Sequence, residues 1–172
     1  MRNRLTALTF CLALLGGAFP VFAQVQLVET GIICPDTREG RLIDAPGTEA
    51  GFVRVLDGLD FDMPGRIVPL VPDLAFGIRV RLKDDVPRDV TMITRHPPMG
   101  ANGVTEQVHI STLPADDTYI RVYSFDFDYE MLPGVWTLAV ADGDDLLLSV
   151  DFEVVEAYDP RIDNICGFLL QS

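Results

Sequence analysis

The chain predicts an all-β domain, a sandwich of about seven to eight antiparallel strands, and three observations carry that reading. Apolar residues recur with a period of two in one segment after another, the mark of strands with one buried face. These segments come at intervals of roughly ten residues, separated by turns rich in Gly, Pro and Asp. No segment of ordinary length carries the stripe of an amphipathic helix. The clearest case is Met131–Glu156, two alternating strands around Asp142-Gly143-Asp144-Asp145. Gly134, Trp136, Leu138 and Val140 share one face of the first strand. Leu146, Leu148, Val150, Phe152 and Val154 form the apolar row of the second. Asp-Gly supplies the backbone freedom a tight hairpin needs.

Taken in order, the chain opens with a basic Met1–Arg4, an apolar Leu5–Phe19 and a Val21-Phe22-Ala23 ending in a small residue. This is the pattern of a secretory signal cleaved between Ala23 and Gln24. Gly16, Gly17 and Pro20 interrupt the run, which is short for a bilayer span of about 20 residues. Cys11 follows the bulky Phe10, so it does not make a lipoprotein signal. Residues 1–23 are therefore read as a cleaved leader, 24–156 as the sandwich and 157–172 as a tail. The protein is expected to be exported, to the periplasm or the extracellular space.

Val25–Ile33 is the first expected strand. Pro35–Thr48 reads as loop with a short strand at Arg41–Ile43, and Phe52–Leu56 as another strand. Pro69 and Pro72 keep their neighbours out of a central strand, because proline donates no backbone hydrogen bond. Leu74–Lys83 alternates Phe76, Ile78, Val80 and Leu82 with Gly77, Arg79, Arg81 and Lys83. Arg88–Arg95 places Val90 and Met92 on one face. His96–Gly103, stiffened by Pro97 and Pro98, reads as an ordered loop. Glu106–Thr112 reads as a strand with Val108 and Ile110 inward. In Thr118–Asp128, Tyr119, Tyr123, Phe125 and Phe127 share a phase while Ile120 and Val122 hold the other, so this strand is covered on both faces or changes face through a bulge. Phe168, Leu169 and Leu170 in the tail are expected to cover an apolar edge. The topology is expected to be immunoglobulin-like with Trp136 in its core, although antibody-type Cys–Trp–Cys spacing is absent.

The full chain carries a formal net charge of −13. Loss of residues 1–23 removes Arg2 and Arg4, leaving 11 basic against 26 acidic side chains and a net charge of −15. So acidic a domain does not suit nucleic acid or anionic lipid, which need Lys and Arg to displace counterions. No membrane span is expected after cleavage. The two cysteines left, Cys34 and Cys166, are expected to pair, since an exported chain meets oxidising conditions. Closing so long a loop is worth on the order of 4–5 kcal/mol in the chain-entropy view.

Ala75-Phe-Gly-Ile-Arg-Val-Arg-Leu82, Thr94-Arg-His-Pro-Pro-Met99, Leu132-Pro-Gly-Val-Trp136 and Phe152-Glu-Val154, in that order, resemble a bacterial family of exported domains of unknown function, numbered 3859. The resemblance covers roughly Val25 to Val155. It implies a single β-rich domain and brings no activity, cofactor or catalytic residue.

Candidate sites are few. His96 and His109, with Asp89, Glu106 or Asp116, are the residue types of a metal site. Alternation, however, sends the two rings to opposite faces of the sheet. The acidic groups Asp57/Asp60/Asp62, Asp84/Asp85, Asp116/Asp117 and Asp142/Asp144/Asp145 lie in expected turns and lack EF-hand spacing. The basic row Arg79, Arg81 and Lys83 is expected to pair with acids on a neighbouring strand, such as Asp151 and Glu153. The loop with His96, Pro97, Pro98 and Met99 is expected to form a small exposed apolar tip, the first choice for a contact surface. No Gly-x-Ser-x-Gly, phosphate loop or dinucleotide fingerprint occurs. The expected function is an exported, non-enzymatic binding or accessory module without a cofactor. Its partner would be another protein or a component of the cell envelope. A metal-dependent or carboxylate-based hydrolase and a calcium-stabilised structural domain are the alternatives.

Overall fold

A computed structural model describes residues 24–35, 40–84, 86–157 and 159–167. The expected leader, Asp85 and Phe168–Leu170 lie outside them. The described residues form eleven strands: β1 (Val25–Ile33), β2 (Arg41–Asp44), β3 (Phe52–Val55), β4 (Met63–Pro64), β5 (Ile67–Pro69), β6 (Ala75–Leu82), β7 (Arg88–Met99), β8 (Val104–Leu113), β9 (Thr118–Ser124), β10 (Gly134–Asp142) and β11 (Asp145–Val155). A short helix, α1 (Pro160–Cys166), follows. One sheet has the order β4-β1-β6-β9, the other β5-β11-β10-β7-β8, and β2 and β3 pair only with each other. Among the described strands the pairing is antiparallel except between β5 and β11.

The inner faces meet through aromatic rings. Phe76 of β6 lies 5.0 Å from Phe152 and 5.9 Å from Trp136, between ring centroids. Trp136 is fully buried and donates its indole N–H to the Leu132 carbonyl at 2.9 Å. The β10–β11 hairpin closes at Asp142 and Asp145, with Gly143 in the left-handed region at φ 56°. A shift in register between Val140 and Ala141 turns Leu146 out of the apolar row, to 58% exposed.

Prolines set the margins. Pro69 is kept out of a central strand as expected: it ends β5, and Pro64 ends β4, two short strands on sheet edges where a missing N–H is tolerated. Pro97 and Pro98 do not make a loop. They lie in β7, in a bulge between the pairs Arg95–Glu106 and Met99–Val104. The bulge changes the phase of the strand, so that His96 and Met99 both turn inward.

At the C-terminal end, Asp159 caps α1 by accepting the Arg161 N–H at 2.9 Å, and Pro160 opens the helix. Sequence periodicity did not show this helix, because seven residues are too few to display a stripe. Ile162 docks into the core, and Cys166 forms a disulfide with Cys34, 132 residues away.

Gly77 of β6 lies opposite Val122 of β9 and leaves no room for a side chain. A Cβ there would stand 2.1 Å from the backbone oxygen of Arg121 and 2.9 Å from the Cα of Val122, and a paired strand cannot yield at those atoms. Gly77→Ala is expected to destabilise the fold by about 2–3 kcal/mol, as overpacking of a paired strand does. Urea unfolding checks this, and an unchanged midpoint would contradict it.

Candidate functional site

The side of the sandwich formed by the edge strands β8 and β9 is unlike the rest of the core, because its inner faces carry polar side chains. On β7 the inward row is Val90, Met92, Thr94 and His96. On β8 it is Gln107, His109 and Leu113, since Met92 pairs with His109 and Thr94 with Gln107, and directly paired residues share a face. The expected phase of β8 is thus reversed. Val108 and Ile110 face outward, 36% and 73% exposed. The two histidines consequently lie on the same face rather than on opposite ones. The physical reason is that the polar residues of β8 find partners inside, whereas outward Val108 is covered by another part of the chain.

Those partners form a continuous hydrogen-bonded row. His96 Nδ1 is 2.8 Å from the Pro97 carbonyl, and its Nε2 lies 3.0 Å from Gln107 Nε2. An amide nitrogen only donates, so Nε2 accepts and the proton sits on Nδ1. The same Gln107 nitrogen donates to the Tyr123 hydroxyl at 3.3 Å, and Tyr123 donates to Glu130 Oε1 at 2.8 Å. Glu130 Oε2 accepts the Phe127 N–H at 3.0 Å. His96 also lies against Trp136, with ring centroids 5.0 Å apart. Burial pushes the Glu130 carboxyl above its ordinary range and, with the neighbouring Glu130 charge, pushes the Tyr123 phenol up. Burial lowers His96, and burial together with the Arg121 charge lowers His109 to about 3. Both imidazoles are neutral at pH 7.

The β2–β3 hairpin straps this side. At its tip the Gly47 carbonyl accepts the Val108 N–H and the Gln107 Oε1 accepts the Glu49 N–H, each at 2.9 Å. At its base Arg54 is ion-paired with Asp126, and Phe52 meets Phe127 edge-on. Beside the strap is a cavity of about 100 Å³ whose walls join Thr94, Gln107, Arg121 and Glu130 to apolar residues such as Phe52 and Val53. Beside it runs an open groove of about 1280 Å³ between β2–β3, β8 and β9, lined in part by Ile43, Val53, His109, Ile110, Tyr119 and Arg121. Tyr119 reaches across the sandwich to Ser111 Oγ at 3.0 Å.

Arg121 borders both spaces, and sequence reasoning passed it over. Its signal was present: it shares the phase of Tyr119, Tyr123 and Phe125, an arginine in an aromatic, inward row. One terminal nitrogen donates to the Val122 carbonyl and the other to Thr94 Oγ1 at 3.0 Å. Its Nε is shut from solvent with no acceptor.

Of the other sequence-derived candidates, Asp57, Arg79, Asp89 and Asp117 also line the groove, but they do not gather into one site. Among the described residues no group of three or more His, Cys, Asp or Glu side chains could hold a metal ion. Asp89 and Glu106 lie on outer faces, bonded to Thr112 and Arg95, and Asp116 is exposed. Asp60 pairs with Arg79, Asp62 accepts the Cys34 N–H, and Asp84 pairs with Arg88. Arg79 pairs with Glu29 of β1 as well, so its partners are not Asp151 and Glu153, which belong to the other sheet. Arg81 and Lys83 are exposed. The expected apolar tip is corrected too: His96 and Met99 are buried at 6% and 1% exposure, Pro97 is half-buried, and only Pro98 is exposed. Among the described residues no helix is long and apolar enough to cross a membrane.

Fold and site together define a small immunoglobulin-like β-sandwich with a strapped groove of mixed polar and apolar lining along one side. The chain belongs to the family described as domain of unknown function (DUF3859), which matches residues 23–154. An immunoglobulin-like protein of Pseudomonas aeruginosa is similar in structure, with a TM-score of 0.51 at 20% identity over 78% of this chain and 99% of that one. That likeness concerns the fold alone. Much weaker likenesses join it to a β-glucosidase of Listeria innocua (TM-score 0.32, 11% identity, 52% of this chain and 14% of that one) and to a β-D-glucoside glucohydrolase of Trichoderma reesei (0.35, 10%, 76% and 19%). Neither bears on function. No curated protein is a significant sequence match.

The histidines make stability depend on pH. Each has a folded-state pKa below its ordinary 6.5, so unfolding takes up protons below that value. Their contribution is complete above pH 6.5 and is lost as pH falls. Glu130, with a raised pKa, acts in the opposite sense, losing stability as pH rises through its carboxyl range. Between pH 7 and 5, His109 is expected to account for about 1–2 kcal/mol of lost stability, allowing for its partial exposure. Denaturant unfolding of the protein and of His109→Gln at the two pH values checks this; equal losses in both would refute it.

Proposed function

We propose that this protein is an exported, non-enzymatic binding or accessory module whose contact surface is the groove between β8 and β9. Its partner is another protein or a component of the cell envelope. The groove is the observation that carries the reading. Val108 turns its N–H out of the sheet to the Gly47 carbonyl, so Ile110 and Thr112, in the same phase, also direct their backbone groups outward. An edge of this kind, beside a concavity and with a 73% exposed isoleucine, is built for contact. The His96–Met99 segment keeps only Pro98 for such a role.

The chemistry of the groove favours binding over catalysis. His109, the histidine that lines the groove, is held to a pKa of about 3 by burial and the Arg121 charge and so is a weak base, and the hydroxyl of Ser111 is engaged by Tyr119, not by an imidazole. Export is supported by the leader-like first 23 residues and by the Cys34–Cys166 disulfide, which suits an oxidising compartment.

A photoreactive residue placed at Ile110 of the full-length chain, expressed in its host cells, is expected to give a discrete crosslinked adduct. The same residue at Ile67, exposed on the opposite side of the sandwich, is expected to give none. The mature protein recovered from the exported fraction should begin at Gln24 by mass spectrometry. Adducts of equal yield from both positions, or none from Ile110, would overturn the groove as the contact surface; an intact leader would overturn export.

A further inference from the structure

We infer that Arg121 anchors a carboxylate-binding site, so that the groove between β8 and β9 takes a ligand bearing a carboxylate group, supplied either by a free small organic acid or by a peptide. This rests on the groove being the contact surface and adds the chemistry of what it contacts.

Guanidinium offers five N–H donors in a fixed plane. The described residues accept from two of its nitrogens, the Val122 carbonyl on one and Thr94 Oγ1 on the other, while Nε is sealed from solvent without an acceptor. Among the described residues no carboxylate forms an ion pair with it. Of the three other arginines that border the groove, Arg41 is exposed, while Arg54 and Arg79 each hold a carboxylate, from Asp126 and from Glu29 and Asp60. A chain with twice as many acids as bases thus leaves an arginine whose Nε is shut from solvent without one. Such a cation carries a desolvation cost that its own fold does not offset, and burial depresses its pKa accordingly.

A planar carboxylate entering from the groove matches the terminal N–H groups left over, one on each terminal nitrogen, because guanidinium and carboxylate meet through two parallel N–H···O bonds. The surroundings narrow the ligand further. Ile43, Val53 and Ile110 give the groove an apolar wall for the body of the ligand. The strongly acidic surface repels polyanions, so one carboxylate on a largely uncharged body fits better than a phosphate chain or an acidic polysaccharide.

Nitrogen-15 NMR of the intact exported protein reads this directly, by following the Arg121 Nε–H resonance, assigned by its loss in Arg121→Lys. The probes are benzoate against neutral benzamide, and a five-residue valine-rich peptide with a free C-terminus against its C-terminal amide. At least one carboxylate is expected to shift the resonance saturably and to bind about tenfold or more tightly than its amide counterpart, as loss of a charge-assisted hydrogen bond implies. Benzoate and peptide separate the two sources. Arg121→Met should lose the same factor, and the benzoate–benzamide comparison on the unaltered protein stands if that variant does not fold. Equal binding by acid and amide, or no shift of Nε–H by either acid, would overturn the inference. An Ile110 adduct that persists in Arg121→Met at full yield would likewise refute it while leaving the groove as the contact surface.

Discussion

The packing of Phe76 against Trp136 and Phe152 is the contact on which the rest of the structure depends. It joins the middle of one sheet to the middle of the other. Each ring removed from water contributes about 1.5–3 kcal/mol, and edge-to-face contact adds to that. Once β6 is fixed over β10 and β11, their neighbours follow through the hydrogen-bond ladders. The edges of the sandwich are then decided as well: β4 and β5 on one side, β8 and β9 on the other.

The two sides are finished by different means. β4 and β5 are two and three residues long, and each contains proline, so that side offers little backbone to an outside strand. β8 and β9 are ten and seven residues long, and the β2–β3 hairpin is laid over them instead. The strap touches β8 at its tip and the end of β9 at its base, leaving the groove between. A polar interior accompanies it. His96, Gln107, Tyr123 and Glu130 satisfy one another in a single row, so a side of the core close to solvent stays ordered without being apolar. Arg121, at the margin of that row, keeps donors to spare.

Much of the fold was legible because it rests on local patterns. The spans of β1, β6, β10 and β11 follow from apolar alternation and turn residues, and the hairpin turn from Asp-Gly. Val25–Ile33 was expected as a strand and forms one with those limits. The strand β8 was found, but its phase was not. Hydrophobicity alone assigns Val108 and Ile110 to the inside, and the fold does the opposite, since Gln107 bonds to His96 of β7 and Tyr123 of β9 and His109 shares its face. The bulge at Pro97-Pro98 was hidden for a related reason: proline marks a break in pairing without saying whether the strand resumes. Arg121 was visible as an out-of-character member of an inward row, yet its want of a carboxylate was not, because that depends on every acid that might have reached it.

What the sequence by itself determined is therefore the all-β class, the positions of most strands and the aromatic residues that fill the centre, because period, turn chemistry and apolar content act over a few residues. Only the tertiary structure decided which face of β8 is inside, that β2 and β3 leave the sheets to strap one side, and that an arginine is enclosed there with donors unspent. These depend on residues far apart in the chain meeting across two sheets, and no local pattern records such meetings.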